Sequence, residues 1–315
     1  MRRVMLLGVL IVIFSLSVAI VGYQGPPAGA QGGAPGAGPG QARGGGAPPA
    51  PLTTIKVRDN LYMIANGGGN TAVFIMANGV ALVDTKNPNN GQGIVDQVRT
   101  VTNKPITMVI NTHTHADHTG SNEFFSDNVQ FVAHENTKTN MVKMTNFAGD
   151  KAKFLPSRTY TDTMTIGTGA DQIMLYYFGR AHTSGDSFVV FPALRAMHTG
   201  DAFASKSFPL VDAANGGSAV EYGKTLAKAA STIKNVDSII NGHIVTGPTP
   251  FSDLQVYADF NSDFVTWVQG EIKAGKTVEQ ATTEYALPAK YTAAGYTAGR
   301  GAGNNIRAAY TELGK

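Results

Sequence analysis

The run Asn111-Thr-His-Thr-His-Ala-Asp-His118 constrains this chain more than any other feature. His113, His115, Asp117 and His118 place four metal-capable side chains within six residues, which packing alone does not explain. His113 and His115 alternate, so on an extended segment their imidazoles share one face. Asp117 and His118 then come from the far side of a bend. That arrangement suits a pair of adjacent metal ions better than a single one. Three of the seven histidines are spent here, so the ligands that complete the site must come from elsewhere in the chain.

The absence of cysteine removes thiolates and disulfides, leaving His and carboxylates as the only strong metal ligands. At the N-terminus, Arg2 and Arg3 precede an apolar stretch over Val4–Val21, with Ala28-Gly-Ala30 as a small-residue cleavage candidate. Residues 1–30 therefore read as a secretory signal peptide, with an uncleaved N-terminal anchor as the competing reading. Either way the bulk of the chain is expected outside the cytoplasm, periplasmic or secreted, and any membrane contact runs through this segment alone. Residues 31–52 are almost wholly Gly, Ala, Pro and Gln, with little to bury, and read as a flexible linker. Residues 53–315 are then one domain with a substantial core. The formal charge of +3 falls to +1 without Arg2 and Arg3, and no basic stripe points to nucleic acid. A small molecule is the expected partner.

Within the domain, short strand-like runs open the chain at Thr54–Val57, Leu61–Ile64, Thr71–Met76 and Val80–Val83, with Asn78-Gly79 as a two-residue hairpin turn. A helix over Gly93–Thr100 and a strand over Ile106–Ile110 lead into the histidine run. A short helix near Ser121–Phe125, the strand Val129–Ala133 and the helix Glu135–Met144 come next. Strands follow at Met164–Ile166, Ile173–Tyr177, Phe188–Phe191 and Ala196–His198, then a helix over Ala219–Ile233 and the strand Ser238–Ile240. Ser252 and Gln255 form an expected capping box for a long helix ending near Gly275. Helices near Val278–Tyr285 and Asn304–Leu313 close the chain. This mixture indicates an α/β domain with helices covering sheets.

Three further ligand candidates stand after strands: His182 in Gly179-Arg-Ala-His-Thr-Ser-Gly-Asp186, Asp201 in His198-Thr-Gly-Asp201, and His243 in Asn241-Gly-His243. Strand-end loops are where a rigid sheet presents a site. Asp84 at a strand end, then His-x-His-x-Asp-His, a later His, a later Asp and a final Gly-His resemble the metallo-β-lactamase superfamily over roughly residues 54–250. The resemblance implies a four-layer αββα sandwich with the metals at one edge. It implies one zinc on His113, His115 and His182, and a second on Asp117, His118 and His243, with Asp201 bridging; iron or manganese are alternatives to zinc. A water acidified to a pKa of about 7 would then attack the substrate, with Asp117 as the catalytic residue that shuttles a proton to the leaving group. Asp84 either orients a ligand imidazole or only shapes the strand end.

Other residues read as structural. His134 and His198 are expected to be hydrogen-bonded core groups, Asp186 to pin the turn after His182, and Trp267 to pack with Phe260 and Phe264. Lys206 and Arg180 are expected to be solvated surface charges. Asn66-Gly-Gly-Gly-Asn70 is either a mobile hairpin over the site or a tight turn. The resemblance does not settle the substrate. An Asp at 201, where the dinuclear β-lactamases typically carry Cys or Ser, looks like the glyoxalase II type. The leading expectation is an exported dinuclear zinc hydrolase of a small ester, thioester or lactam. β-Lactamase-like antibiotic hydrolysis, an iron-dependent sulfur dioxygenase and a non-catalytic metal-binding module are the alternatives.

Overall fold

Alternating apolar runs build two sheets in the computed structural model, which describes residues 50–125, 128–298 and 301–314. In the first sheet, β1 (Thr53–Arg58), β2 (Leu61–Ala65), β3 (Thr71–Met76) and β4 (Gly79–Val83) form an antiparallel meander. Parallel strands β5 (Ile106–Ile110), β6 (Gln130–His134) and β7 (Arg158–Tyr160) continue it. In the second sheet, β8 (Thr163–Ile166), β9 (Ile173–Tyr176), β10 (Phe188–Phe191) and β11 (Ala196–His198) are antiparallel. Here β12 (Ser238–Ile240) pairs in parallel with β11, and β13 (Thr249–Pro250) closes the edge.

Burial on both faces explains why the central strands are apolar throughout. Ala81 and Val83 of β4 face the second sheet and meet Val189, Phe191 and Ile240 in one inner core. Val80 and Leu82 face outward onto Ile94 and Val98 of α1 (Gly91–Arg99). The first sheet also carries α2 (Ala116–Thr119) and α3 (Glu135–Met141). On the far side α4 (Ala219–Thr232) and α5 (Ser252–Lys273) cover the second sheet, followed by α6 (Val278–Glu284), α7 (Ala289–Ala293) and α8 (Gly301–Glu312). The layers are helix, sheet, sheet, helix, the αββα sandwich expected from the resemblance.

Several local expectations are corrected. Met76 pairs with Gly79, so the hairpin turn is Ala77-Asn78, and neither residue has positive φ. Gly79 is instead needed because a side chain there would meet Thr107 Oγ1 at 2.7 Å. Ser252 lies inside α5 rather than capping it: Phe251 is already helical at φ −59°, ψ −31°, and its N–H is held by Asp237 O. The short helix near Ser121–Phe125 is a single 3-10 turn at Asn122–Phe124, and a true turn of helix, α2, forms earlier at the bend. The brief elements β7, β13 and α7 have too few residues to show a period. The signal or anchor segment, and all of the linker but its last three residues, lie outside the described residues; Leu52 already packs on the first sheet's outer core. Among the described residues no helix is long and apolar enough to cross a membrane.

Candidate metal centre

Parallel pairing brings the ligand-bearing loops to one edge. β4 and β5 run the same way, as do β11 and β12, so Asp84, the histidine run, Asp201 and His243 all leave from C-terminal strand ends. Backbone bonds hold these exits together: Asp84 N–H donates to Ile110 O, Thr199 N–H to Ile240 O, and Gly69 N–H to Asp117 O. After His115, α2 turns the chain back so that Asp117 and His118 face the same centre. Two triads result, His113–His115–His182 and Asp117–His118–His243, each with ligand atoms within 4.8 Å of one another.

The spacing fits metal coordination. Nitrogens bound about 2.1 Å from a tetrahedral cation stand roughly 3.4 Å apart. His115 Nδ1 and His182 Nε2 are 2.9 Å apart. His118 Nε2 lies 3.4 Å from His243 Nε2, and Asp117 Oδ2 lies 3.3 Å from His243 Nε2 and 3.7 Å from His118 Nε2. Asp201 reaches both groups, with Oδ1 3.2 Å from His118 Nε2 and Oδ2 3.2 Å from His243 Nε2 and 3.7 Å from His182 Nε2. That is where a bridging carboxylate must sit.

The outer ring nitrogens decide what the inner ones can do. His118 Nδ1–H donates to Asp84 Oδ2 at 2.6 Å, and His182 Nδ1–H to Leu210 O at 2.6 Å. His115 Nε2–H donates to Asp212 Oδ2 at 2.7 Å. Thr112 Oγ1–H is committed to Asp84 Oδ2, so Thr112 Oγ1 accepts from His113 Nδ1–H at 3.0 Å. Each bond places the proton on the outer nitrogen and leaves a lone pair pointing inward. His113 Nε2 is buried and has no hydrogen-bond partner, a costly arrangement unless the nitrogen has another ligand. Asp84 also comes within 4.8 Å of His113 and His118 as a third grouping. Its oxygens are taken by Thr112 N–H, Thr112 Oγ1–H and His118 Nδ1–H, so it supports imidazoles rather than binding metal.

Electrostatics agree. Burial and three neighbouring imidazoles hold His113 well below the usual histidine range, keeping it neutral as a ligand must be. Burial opposes charge on His118, but the Asp201 and Asp84 carboxylates reverse this and carry it well above that range. Burial likewise disfavours ionised Asp201, yet His118 and His243 hold it well below the usual carboxylate range. Against the pull of burial, Asp117 and Asp201 raise His243 to about 9. Protons in the metal-free cluster thus offset the negative charge that cations would otherwise neutralise.

Access is one-sided. His113, His118 and His182 are buried, whereas the side chains of Asp117 and His243 are about one-third exposed, at 33% and 36%. Substrate must approach from their side. Concavity alone would point elsewhere, since a cleft of about 320 Å³ is lined by Pro88, Glu123, Asn146 and Lys151, none of them a ligand. The converging nitrogens mark the site.

The description "metallo-beta-lactamase superfamily" matches residues 65–244, more than half of the chain and a span that includes all seven candidate ligands. The chain belongs to that superfamily. It is 28% identical to the type 2 metallo-beta-lactamase of Elizabethkingia meningoseptica over 148 residues, 44% of this chain and 56% of that protein. It is 27% identical to the 2,4-dinitroanisole O-demethylase subunit alpha of Nocardioides sp. (strain JS1661) over 154 residues, 48% of this chain and 46% of that one. The chain thus spans about half the length of these curated relatives. Among solved structures, the stereoselective inverting sec-alkylsulfatase Pisa1 from Pseudomonas sp. superposes with a TM-score of 0.70 at 15% identity, over 83% of this chain and 50% of that one. DIM-1 metallo-beta-lactamase gives 0.56 at 19% identity, over 67% and 99%. At such identities the likeness shows the fold.

Within this superfamily member, all seven expected ligands converge on one site, and Asp84 takes its supporting role. Asp186 pins the turn after His182 through Thr183 N–H and Oγ1–H. His134 and His198 are hydrogen-bonded to Thr161 O and Asn70 O, as structural groups. Arg180 is exposed, as expected of a surface charge, and it also donates to Gly216 O and Gly217 O, bracing the loop that carries Asp212. The Asn66–Asn70 stretch is neither lid nor isolated turn. It lies against the site, held by buried Lys86 through Gly69 O and by Asn70 through Asn241 O and Ile244 O. Asp212 and Gly69 went unforeseen. Asp212 sits in Leu210-Val-Asp-Ala-Ala with no periodic or motif signal, and its link to His115 spans 97 residues.

Proposed function

We propose that this domain is a dinuclear zinc hydrolase acting on a small ester, thioester or lactam. One observation carries the reading: two complete triads share Asp201, and the outer nitrogens of four imidazoles are tied so that their lone pairs face inward. When bound there, a pair of zinc ions supplies Lewis-acid polarisation and acidifies water near neutral pH. The chain's own residues do the rest. His113, His118 and His182 form the buried wall that excludes solvent from behind the reacting centre. Asp117, partly exposed and held by the hydrogen bond from His243 well into its ionised range against the opposing pull of burial, faces the opening. It is placed to accept a proton from the attacking water and to pass it to the leaving group.

Leu210 and Val245 extend the reading to substrate shape. Leu210, whose carbonyl accepts from the outer nitrogen of His182, is 62% exposed, and Val245, two residues beyond His243, is 44% exposed. Exposed large apolar side chains next to a polar centre favour a substrate with an apolar arm beside its cleavable bond. Purified protein is expected to hold about two zinc ions per chain, and Asp117→Ala or His115→Ala to lower turnover at least about a hundredfold. The relatives' names span lactam, alkyl sulfate and O-methyl chemistry, so the assay panel pairs these with thioesters, lactones and phosphodiesters. Full activity after both metals are stripped would overturn the proposal. Arg2, Arg3 and the apolar Val4–Val21 stretch support export of the mature domain. Recovery of the protein only from the cytoplasm, with Met1 intact, would count against it.

A further inference from the structure

The family match ends at residue 244, yet a helix far beyond it reaches the supports of the first triad. His182 is oriented by Leu210 O and His115 by Asp212, so both imidazoles depend on the loop from Lys206 to Ser218. Asn305 of α8 is buried and donates from Nδ2 to Pro209 O at 3.0 Å, one residue before Leu210. One helical end later, Glu312 accepts from Ser218 Oγ–H at 2.5 Å and from Ala219 N–H at 2.7 Å. Ser218 N–H in turn donates to Ala181 O, beside His182, and its Oγ accepts from Glu221 N–H to cap α4. The chain leading into α8 adds a bridge between Ser207 and Thr297.

Packing anchors this loop just upstream, where Phe208 is buried in one core with Ile306, Ala309 and Tyr310 of α8. Past Phe208 a cavity of about 230 Å³ opens beside Leu210 and Asn305. There the bond from Asn305 Nδ2 fixes Pro209 O, one residue before the carbonyl that orients His182. Asp212 is fixed partly through Asn215 and Gly217, in the turn that Glu312 and Ser218 close at its far end. We infer that α8, through Asn305 and Glu312, is a positioning element of the His113–His115–His182 triad and not of the other triad. Among the described residues the supports of the second triad come from elsewhere: Asp84 supports His118, Gly69 N–H holds Asp117 O, and His243 N–H donates to Ala204 O.

This rests on the reading that both triads bind metal, and the test separates the two claims. Glu312→Ala and Asn305→Ala are introduced into full-length protein in two backgrounds. In His243→Ala only the first triad is complete; in His115→Ala only the second is. Zinc affinity is measured by chelator competition, with circular dichroism confirming the fold. Removing a ligand's immediate hydrogen-bond partner costs about 10–100-fold in metal affinity, so these more distant substitutions are expected to weaken the first triad about three- to tenfold. They are expected to leave the second triad unchanged. Glu312→Gln keeps an acceptor oxygen and should recover most of the loss. Arg307→Gln, on the same helix but facing Glu279, should change neither triad. Equal weakening in both backgrounds, or none in either, overturns the inference. A parent protein that takes up no zinc overturns the functional reading and this inference together.

Discussion

Gly69→Ala is the sharpest test of how the site is built. Gly69 does not have positive φ, so alanine meets no backbone penalty there, and only space decides the outcome. A methyl group on Gly69 would lie 2.6 Å from His118 Nδ1 and closer still to Cε1 and Nε2. Ordinary contact begins at about 3.5 Å, so ring and loop must separate by more than about 1 Å. The ring cannot yield freely, because Asp84 grips its Nδ1 at 2.6 Å. Nor can the loop, because Gly69 donates to Asp117 O and its carbonyl accepts from buried Lys86. Metal–ligand distances tolerate only about 0.2 Å, so His118 is expected to lose its place in the second triad. Overpacking of this kind costs about 1–3 kcal/mol of stability, and misplacement by about 1 Å costs about a hundredfold in rate. Zinc titration should then find one tight site rather than two, with turnover down about a hundredfold. Gly270→Ala, where nothing lies within 4 Å, is the control and should stabilise α5 by about 0.5–1 kcal/mol. A Gly69→Ala protein that binds two zinc ions as tightly as wild type would refute the reasoning.

Further outcomes follow from the same network. Asp212→Ala removes the acceptor from His115 Nε2–H, and metal affinity at the first triad should fall about 10–100-fold while Asp212→Asn falls less; unchanged affinity in Asp212→Ala would show that His115 needs no such support. His243 in metal-free protein is raised to about 9 from an ordinary value of 6.5. Its protonated form therefore stabilises the metal-free fold fully below pH 6.5, and that contribution is lost as pH rises through about 9. The melting-temperature gap between metal-free wild type and metal-free His243→Asn should be widest near pH 6 and close only above about pH 9; a gap that widens with pH would contradict the assignment. Leu210→Ser should raise KM for substrates with an apolar arm while leaving kcat nearly unchanged, and an equal fall in kcat would place Leu210 in the chemical step instead.

Much of this molecule was legible from residue order alone. The strands at Ile106–Ile110, Phe188–Phe191, Ala196–His198 and Ser238–Ile240 stand where their apolar runs place them, because sheets buried on both faces leave unbroken hydrophobic segments. The convergence of the seven candidate ligands was legible because coordination chemistry restricts residue type, and a dense cluster of such residues has few other uses. Local readings failed where a distant contact outweighed a local preference. Ser252 lost its capping role because Asp237 O draws Phe251 into the first turn of α5, and Arg180, though exposed, also braces two carbonyls of another loop. Asp212, Asn305 and Glu312 carry no signal in the chain itself, and the glycine run ending at Gly69 signals a turn but not its partner, since each matters only through a residue brought beside it by folding. Side-chain chemistry named the ligands; which lone pair each imidazole turns inward is a property of neighbours that only the tertiary fold supplies.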